Sequence, residues 1–213
     1  AALIDGLDGR IARLIKGTSK VGKELDSLTD MISFGVAPAF IMYFWKLNTL
    51  GRFGWLLCLV YVICVALRLA RFNISSNQEP SWKDNFFEGV PSPAGGILVL
   101  TPLIISLTGF NYIELNFDII TPIFFIATSF LLISKFPSYS FKKIVIQRKA
   151  TIFLLFGIIL FFGLLLIYTF EMISISSIIY LFLLPISYLH YQKLKKNNEN
   201  DKNQEDEDLE DVL

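Results

Sequence analysis

Six long apolar stretches dominate the chain, at roughly 31–47, 53–74, 94–110, 118–135, 150–170 and 172–191. Each approaches the roughly 20 mostly apolar residues that a helix needs to cross a bilayer. A seventh stretch ends near Leu14 and is cut off at its start. Pro and Gly interrupt several of them, which membrane helices tolerate better than soluble ones. The pattern predicts an all-α protein, a polytopic membrane helix bundle with about seven transmembrane helices. Beyond Gln192 the apolar pattern ends. Residues 1–191 therefore read as one transmembrane domain, and 192–213 as an acidic tail expected to be disordered. The chain opens on Ala1 inside an apolar helix, without Met, so a preceding piece is expected.

Composition sharpens this reading. The chain has 213 residues, 54% hydrophobic, 15% aromatic and only 18% charged, with 20 Phe. Soluble domains carry about 25% charged residues. An ordinary soluble enzyme, a disulfide scaffold and a nucleic-acid binder are excluded; membrane lipids are the expected surroundings. Cys58 and Cys64 lie six apart in one apolar run and read as packing residues.

The formal charge is zero, with 19 basic and 19 acidic residues, but the signs are segregated. The tail from Gln192 holds eight acids and four bases, so the rest is net positive. Along the successive loops the bases number 5, 2, 3, 0, 5, 0 and 4. The alternation puts 17 of the 19 on one side. Positive charge marks the cytoplasmic side, which predicts a multi-pass protein of the cell membrane with loops 15–25, 75–90 and 136–149 and the tail in the cytoplasm.

Asp5, Asp8, Asp26 and Asp30 flank or lie within the first two apolar helices. Charges there cost about 2.5 kcal/mol or more and mark function. Asp5 and Asp8 are i and i+3; Gly22, Asp26 and Asp30 are i, i+4 and i+8, so each set shares a helix face. A short basic loop joins the two helices, which makes them antiparallel neighbours whose acidic faces can meet near the cytoplasmic surface. Converging carboxylates repel unless something neutralises them. The choices are protonation, ion pairs with Arg10, Arg13, Lys20 and Lys23, or divalent metal. Four acids on matched faces favour metal. Oxygen-only ligands suit Mg²⁺, Mn²⁺ or Ca²⁺. Gly9, Ala12 and Gly22 leave room for a phosphorylated ligand near the backbone.

The residues read Asp5-x2-Asp8-Gly9-x2-Ala12-Arg13-x8-Gly22-x3-Asp26-x3-Asp30. All eight positions match the signature of the CDP-alcohol phosphatidyltransferase family, which the chain resembles over residues 1–100. The stretches Asp26–Pro38, Arg68–Asn73 and Gly89–Pro93 are similar to the serine-using branch of that family. The resemblance implies a membrane enzyme that moves a phosphatidyl group from CDP-diacylglycerol to the hydroxyl of L-serine and releases CMP. It implies two divalent ions, Mg²⁺ or Mn²⁺, on Asp5, Asp8 and Asp26, with Asp30 contributing to the site and serving as general base. It also implies one further helix upstream of Ala1, and a homodimer.

Other roles follow from residue chemistry beside that resemblance. Gly9, Ala12 and Gly22 make room for the nucleotide of the CDP-lipid, and Arg13 contacts the diphosphate or orients an Asp. Arg68 and Arg71 offer bidentate forks for the serine carboxylate, or else serve as positive-inside anchors. Asn73 and Ser92 are weaker candidates for serine contacts. A sister enzyme using glycerol phosphate, inositol phosphate or another alcohol is the neighbouring alternative. An ion or proton carrier would need acids along several helices, yet 150–191 holds only Glu171.

Overall fold

A computed structural model of the chain describes residues 20–75, 86–108, 116–139 and 148–210. Helix α1 (Lys20–Asp30) passes through a π-helical turn, Met31–Val36, into α2 (Ala37–Trp45). A 3₁₀ turn, Leu47–Leu50, leads to α3 (Arg52–Ser75). Then come β1 (Phe86–Glu88), α4 (Ser92–Leu107), α5 (Phe117–Ile133), β2 (Pro137–Tyr139), α6 (Arg148–Ile167) and α7 (Thr169–Glu210). The six expected apolar stretches all appear as helices. The stretch that ends near Leu14 lies outside the described residues.

Among the described residues three segments are long and apolar enough to cross a membrane: Glu24–Trp45, Arg52–Ile74 and Thr169–Leu194. Three apolar helices are shorter, Ser92–Leu107, Phe117–Ile133 and Thr151–Ile167. At 1.5 Å per residue these cover about 24–26 Å, close to the hydrocarbon thickness. The chain is an all-α membrane protein with one addition. Strands β1 and β2 pair antiparallel, Phe86 with Tyr139 and Glu88 with Pro137.

Helix α3 is the centre of the bundle and packs on α5, α2, α4 and the π turn. Its Tyr61, Cys64, Val65 and Leu69 meet Met42, Val99, Phe125 and Leu132 in one core. Cys58 and Cys64 are buried free thiols within it, as packing residues should be. The π turn fits because its neighbours are small. A Cβ on Gly35 would stand 3.3 Å from Val65, and one on Gly96 3.4 Å from the backbone of Phe34. Tyr61 completes the turn, its hydroxyl donating to Phe34 O at 2.8 Å. That bond supplies a partner at a point where the regular helical ladder is interrupted.

Helix α7 packs along α4, with Leu184, Tyr180 and Leu181 against Val90 and Leu98. Helix α6 touches α7 and leaves residues 151–163 exposed along its length, as a lipid-facing helix does. Helix α7 continues without a break from Thr169 to Glu210. No Pro or Gly follows Pro185, and Lys, Gln and Glu are good helix formers.

Candidate active site

Gly22, Asp26 and Asp30 lie on α1, spaced four residues apart, and so share one face. Asp26 is exposed and Asp30 half-buried. The helix continues past Asp30 only by widening into the π turn, a form that recurs at functional sites. Asp5, Asp8, Gly9, Ala12 and Arg13 lie outside the described residues. Among the described residues no three His, Cys, Asp or Glu side chains converge. Asp26 and Asp30 make up the described half of the expected oxygen-ligand set, and their chemistry fits a hard divalent ion.

The other wall comes from the C-terminal end of α3. Arg68 is only 7% exposed. Its Nε donates to Val90 O at 2.8 Å, and its guanidinium lies 5.6 Å from the Phe72 ring centroid. Among the described residues its two terminal nitrogens make no hydrogen bond. Asp30, Tyr180 and Arg71 are its electrostatic neighbours. Arg71 has already committed Nη1 to Ile133 O, at 2.8 Å. Asn73 donates from Nδ2 to Ser27 Oγ at 2.8 Å and ties the end of α3 to the acidic helix.

A turn delivers Val90 to Arg68. Gly89 has φ +78°, and its N–H donates to Phe136 O at 2.8 Å. Two residues after Val90, Ser92 begins α4; it is 1% exposed, and its Oγ has no hydrogen-bond partner among the described residues. A buried hydroxyl without a partner is rare and costs free energy.

The structure thus gives Arg68 an electrostatic neighbour in Asp30 and sets Asn73 against Ser27. Arg68 and Arg71, equivalent in the sequence, differ here: one is a buried fork, the other a brace to α5. Two residues were missed altogether. Tyr180 reaches this wall from α7, its hydroxyl 3.0 Å from Ser138 Oγ of β2. Tyr180 stands in an otherwise apolar run, and no spacing rule links it to Arg68.

Known proteins are similar to this chain in sequence. A Mycobacterium leprae protein named CDP-diacylglycerol–serine O-phosphatidyltransferase is 42% identical over 140 residues, 64% of this chain and 46% of its own length. A Helicobacter pylori protein of the same name is 37% identical over 179 residues, 84% of this chain and 72% of its own. A Bacillus subtilis protein of that name is 37% identical over 140 residues, 66% and 71% of the two chains. The chain therefore spans less than half of the Mycobacterium relative's length and most of the other two. Residues 1–188 match the CDP-alcohol phosphatidyltransferase family, and the chain belongs to that family.

Proposed function

We propose that this protein transfers the phosphatidyl group of CDP-diacylglycerol to the hydroxyl of L-serine, giving phosphatidylserine and CMP. The observation that carries this reading is the buried Arg68 with Asp30 as an electrostatic neighbour, at the end of α3 that Asn73 ties to the acidic helix. Such a pair offers a base for an alcohol and a fork for a carboxylate, the two ends of serine. The names of the relatives support the same acceptor.

Asp30 takes the proton of the serine hydroxyl as its oxygen attacks the phosphorus that carries diacylglycerol. The bond from that phosphorus to the oxygen of CMP breaks as the new ester forms. Arg68 holds the serine carboxylate through its terminal nitrogens, and the buried hydroxyl of Ser92, two residues after Val90, is a further candidate contact. Arg71 braces α3 against α5 and keeps Arg68 in place. Gly9, Ala12, Gly22 and Arg13 receive the CDP-lipid. Asp5, Asp8, Asp26 and Asp30 would hold two Mg²⁺ or Mn²⁺ ions. When bound, these would neutralise the diphosphate and the charge on departing CMP. The basic ends near Arg68 and Arg71 put the site at the cytoplasmic face of the cell membrane, and the enzyme works as a homodimer.

The test is CMP release from CDP-diacylglycerol vesicles with a panel of alcohols. Serine alone should support it, and chelation of divalent metal should stop it. Turnover with glycerol phosphate or inositol phosphate but not serine would overturn the acceptor. Asp30→Asn should lower kcat by about 10³-fold or more, the upper range of general-base effects and some loss of metal ligation combined. A rate near wild type would remove Asp30 as the base.

A further inference from the structure

We propose that Tyr180, held by Ser138, positions the Arg68 fork and thereby sets the preference for an acceptor with a carboxylate. This rests on the reading of Arg68 as the carboxylate-binding group. Among the described residues the long Arg68 side chain makes a single hydrogen bond, Nε to Val90 O. One bond does not fix where the terminal nitrogens point. Phe72 covers part of the guanidinium face. Tyr180, from α7, is a further electrostatic neighbour and packs against Val90, whose carbonyl Arg68 holds.

Tyr180 belongs to α7 and packs against Val90 and Leu98, the apolar cluster directly behind Arg68's carbonyl partner. A hydroxyl among such neighbours needs a partner. Ser138 supplies it at 3.0 Å, and Ser138 is itself buried. When the tyrosine donates to Ser138, its oxygen keeps lone pairs for the guanidinium with which it interacts electrostatically. Ser138 is paired through β2 to β1, directly before Gly89 and Val90. The strand pair therefore sets both groups that border Arg68, Val90 O on one side and Tyr180 on the other. A chain folded only for packing would be served as well by Phe at 180.

The contrast with a purely structural tether lies in which kinetic quantity moves. Tyr180→Phe keeps the ring and removes only the oxygen. Its KM for L-serine should rise about tenfold, the equivalent of about 1.4 kcal/mol, while kcat and the KM for CDP-diacylglycerol change by less than about twofold. Ser138→Ala should shift the serine KM in the same direction by about threefold. Serinol, with a second CH₂OH in place of the carboxylate, serves as alternative acceptor or competitive inhibitor. Its apparent affinity should not change in either variant. Equal losses for serine and serinol, or an unchanged serine KM in both variants, would overturn the proposal. Should Tyr180→Phe fail to fold, Ser138→Ala decides alone. Arg68→Lys separates the two levels. If it weakens serine selectively while Tyr180→Phe does not, only the role of Tyr180 falls. If it leaves serine and serinol as in the wild type, the carboxylate reading of Arg68 falls as well.

Discussion

A single hydroxyl shows how much one atom can settle in this bundle. Tyr61 is fully buried, and its OH donates to the carbonyl of Phe34 inside the π turn. With Phe in its place, that carbonyl would face apolar neighbours with its hydrogen bonding incomplete. Tyr61→Phe should lower stability by about 1–2 kcal/mol, read as an earlier thermal unfolding midpoint in detergent. Activity should fall too, because the turn sets the heading of Asp30 immediately before it. A variant as stable and active as the wild type would mean that the π turn holds its shape without this bond. Asn73 and Ser27 form a comparable tie between α3 and α1. Asn73→Ala and Ser27→Ala should each reduce turnover, and the double variant should do no worse than the more damaging single one, since both remove the same bond.

At the scale of elements, the turn before α4 is the part least able to absorb change. Gly89 combines a positive φ with a close approach: a Cβ there would stand 2.7 Å from Ser134 O. Gly89→Ala should cost about 1–3 kcal/mol from the backbone conformation alone, with the clash added. It should also raise the serine KM, because Val90 O would no longer meet Arg68. Gly51 makes the comparison. Its φ is also positive, +57°, but nothing lies within 4 Å of where a Cβ would be. Gly51→Ala should therefore lose stability to a smaller degree and keep its serine KM. Equal effects on serine KM in the two variants would show that backbone strain, not the Val90 contact, was responsible.

On the scale of the whole molecule, packing is uneven. Phe125 is fully buried between α5 and α3, its ring tilted against that of Tyr61, whereas Phe153 on α6 is 80% exposed. Phe125→Ala should cost about 3–5 kcal/mol, as a cavity in a packed core does. Phe153→Ala should stay within about 0.5 kcal/mol, because lipid replaces the lost contact; thermal unfolding of the pair in one detergent checks both. Orientation can be read as well. Lys46 pairs with Asp118 at 2.8 Å, at the end of the bundle away from Arg68. A membrane-impermeant maleimide added to intact cells should label a cysteine at Asn48 and spare one at Gln192. Cys58 and Cys64 are buried and should give no background. The reverse labelling would invert the proposed topology.

The sequence by itself determined the class of this protein and most of its elements. Apolar runs near the length of a bilayer can satisfy their backbone only as helices, so six stretches became six helices within a few residues. The spacing of Gly22, Asp26 and Asp30 needed no tertiary information, because helical periodicity alone puts residues four apart on one face. Prolines 102, 122 and 185 stayed inside helices, as an apolar solvent permits. Local pattern was silent wherever a property depended on a distant partner. Arg68 and Arg71 differ because a glycine turn brings Val90 to one, and the end of α5 brings Ile133 to the other. The π turn exists where Gly35 and Gly96 let three helices approach and Tyr61 can reach a carbonyl. The short strand pair, and the arrival of Tyr180 and Ser138 beside Arg68, join segments tens of residues apart. Periodicity acts over one or two turns of chain. The neighbours of a buried charge are chosen by the packing of the whole bundle.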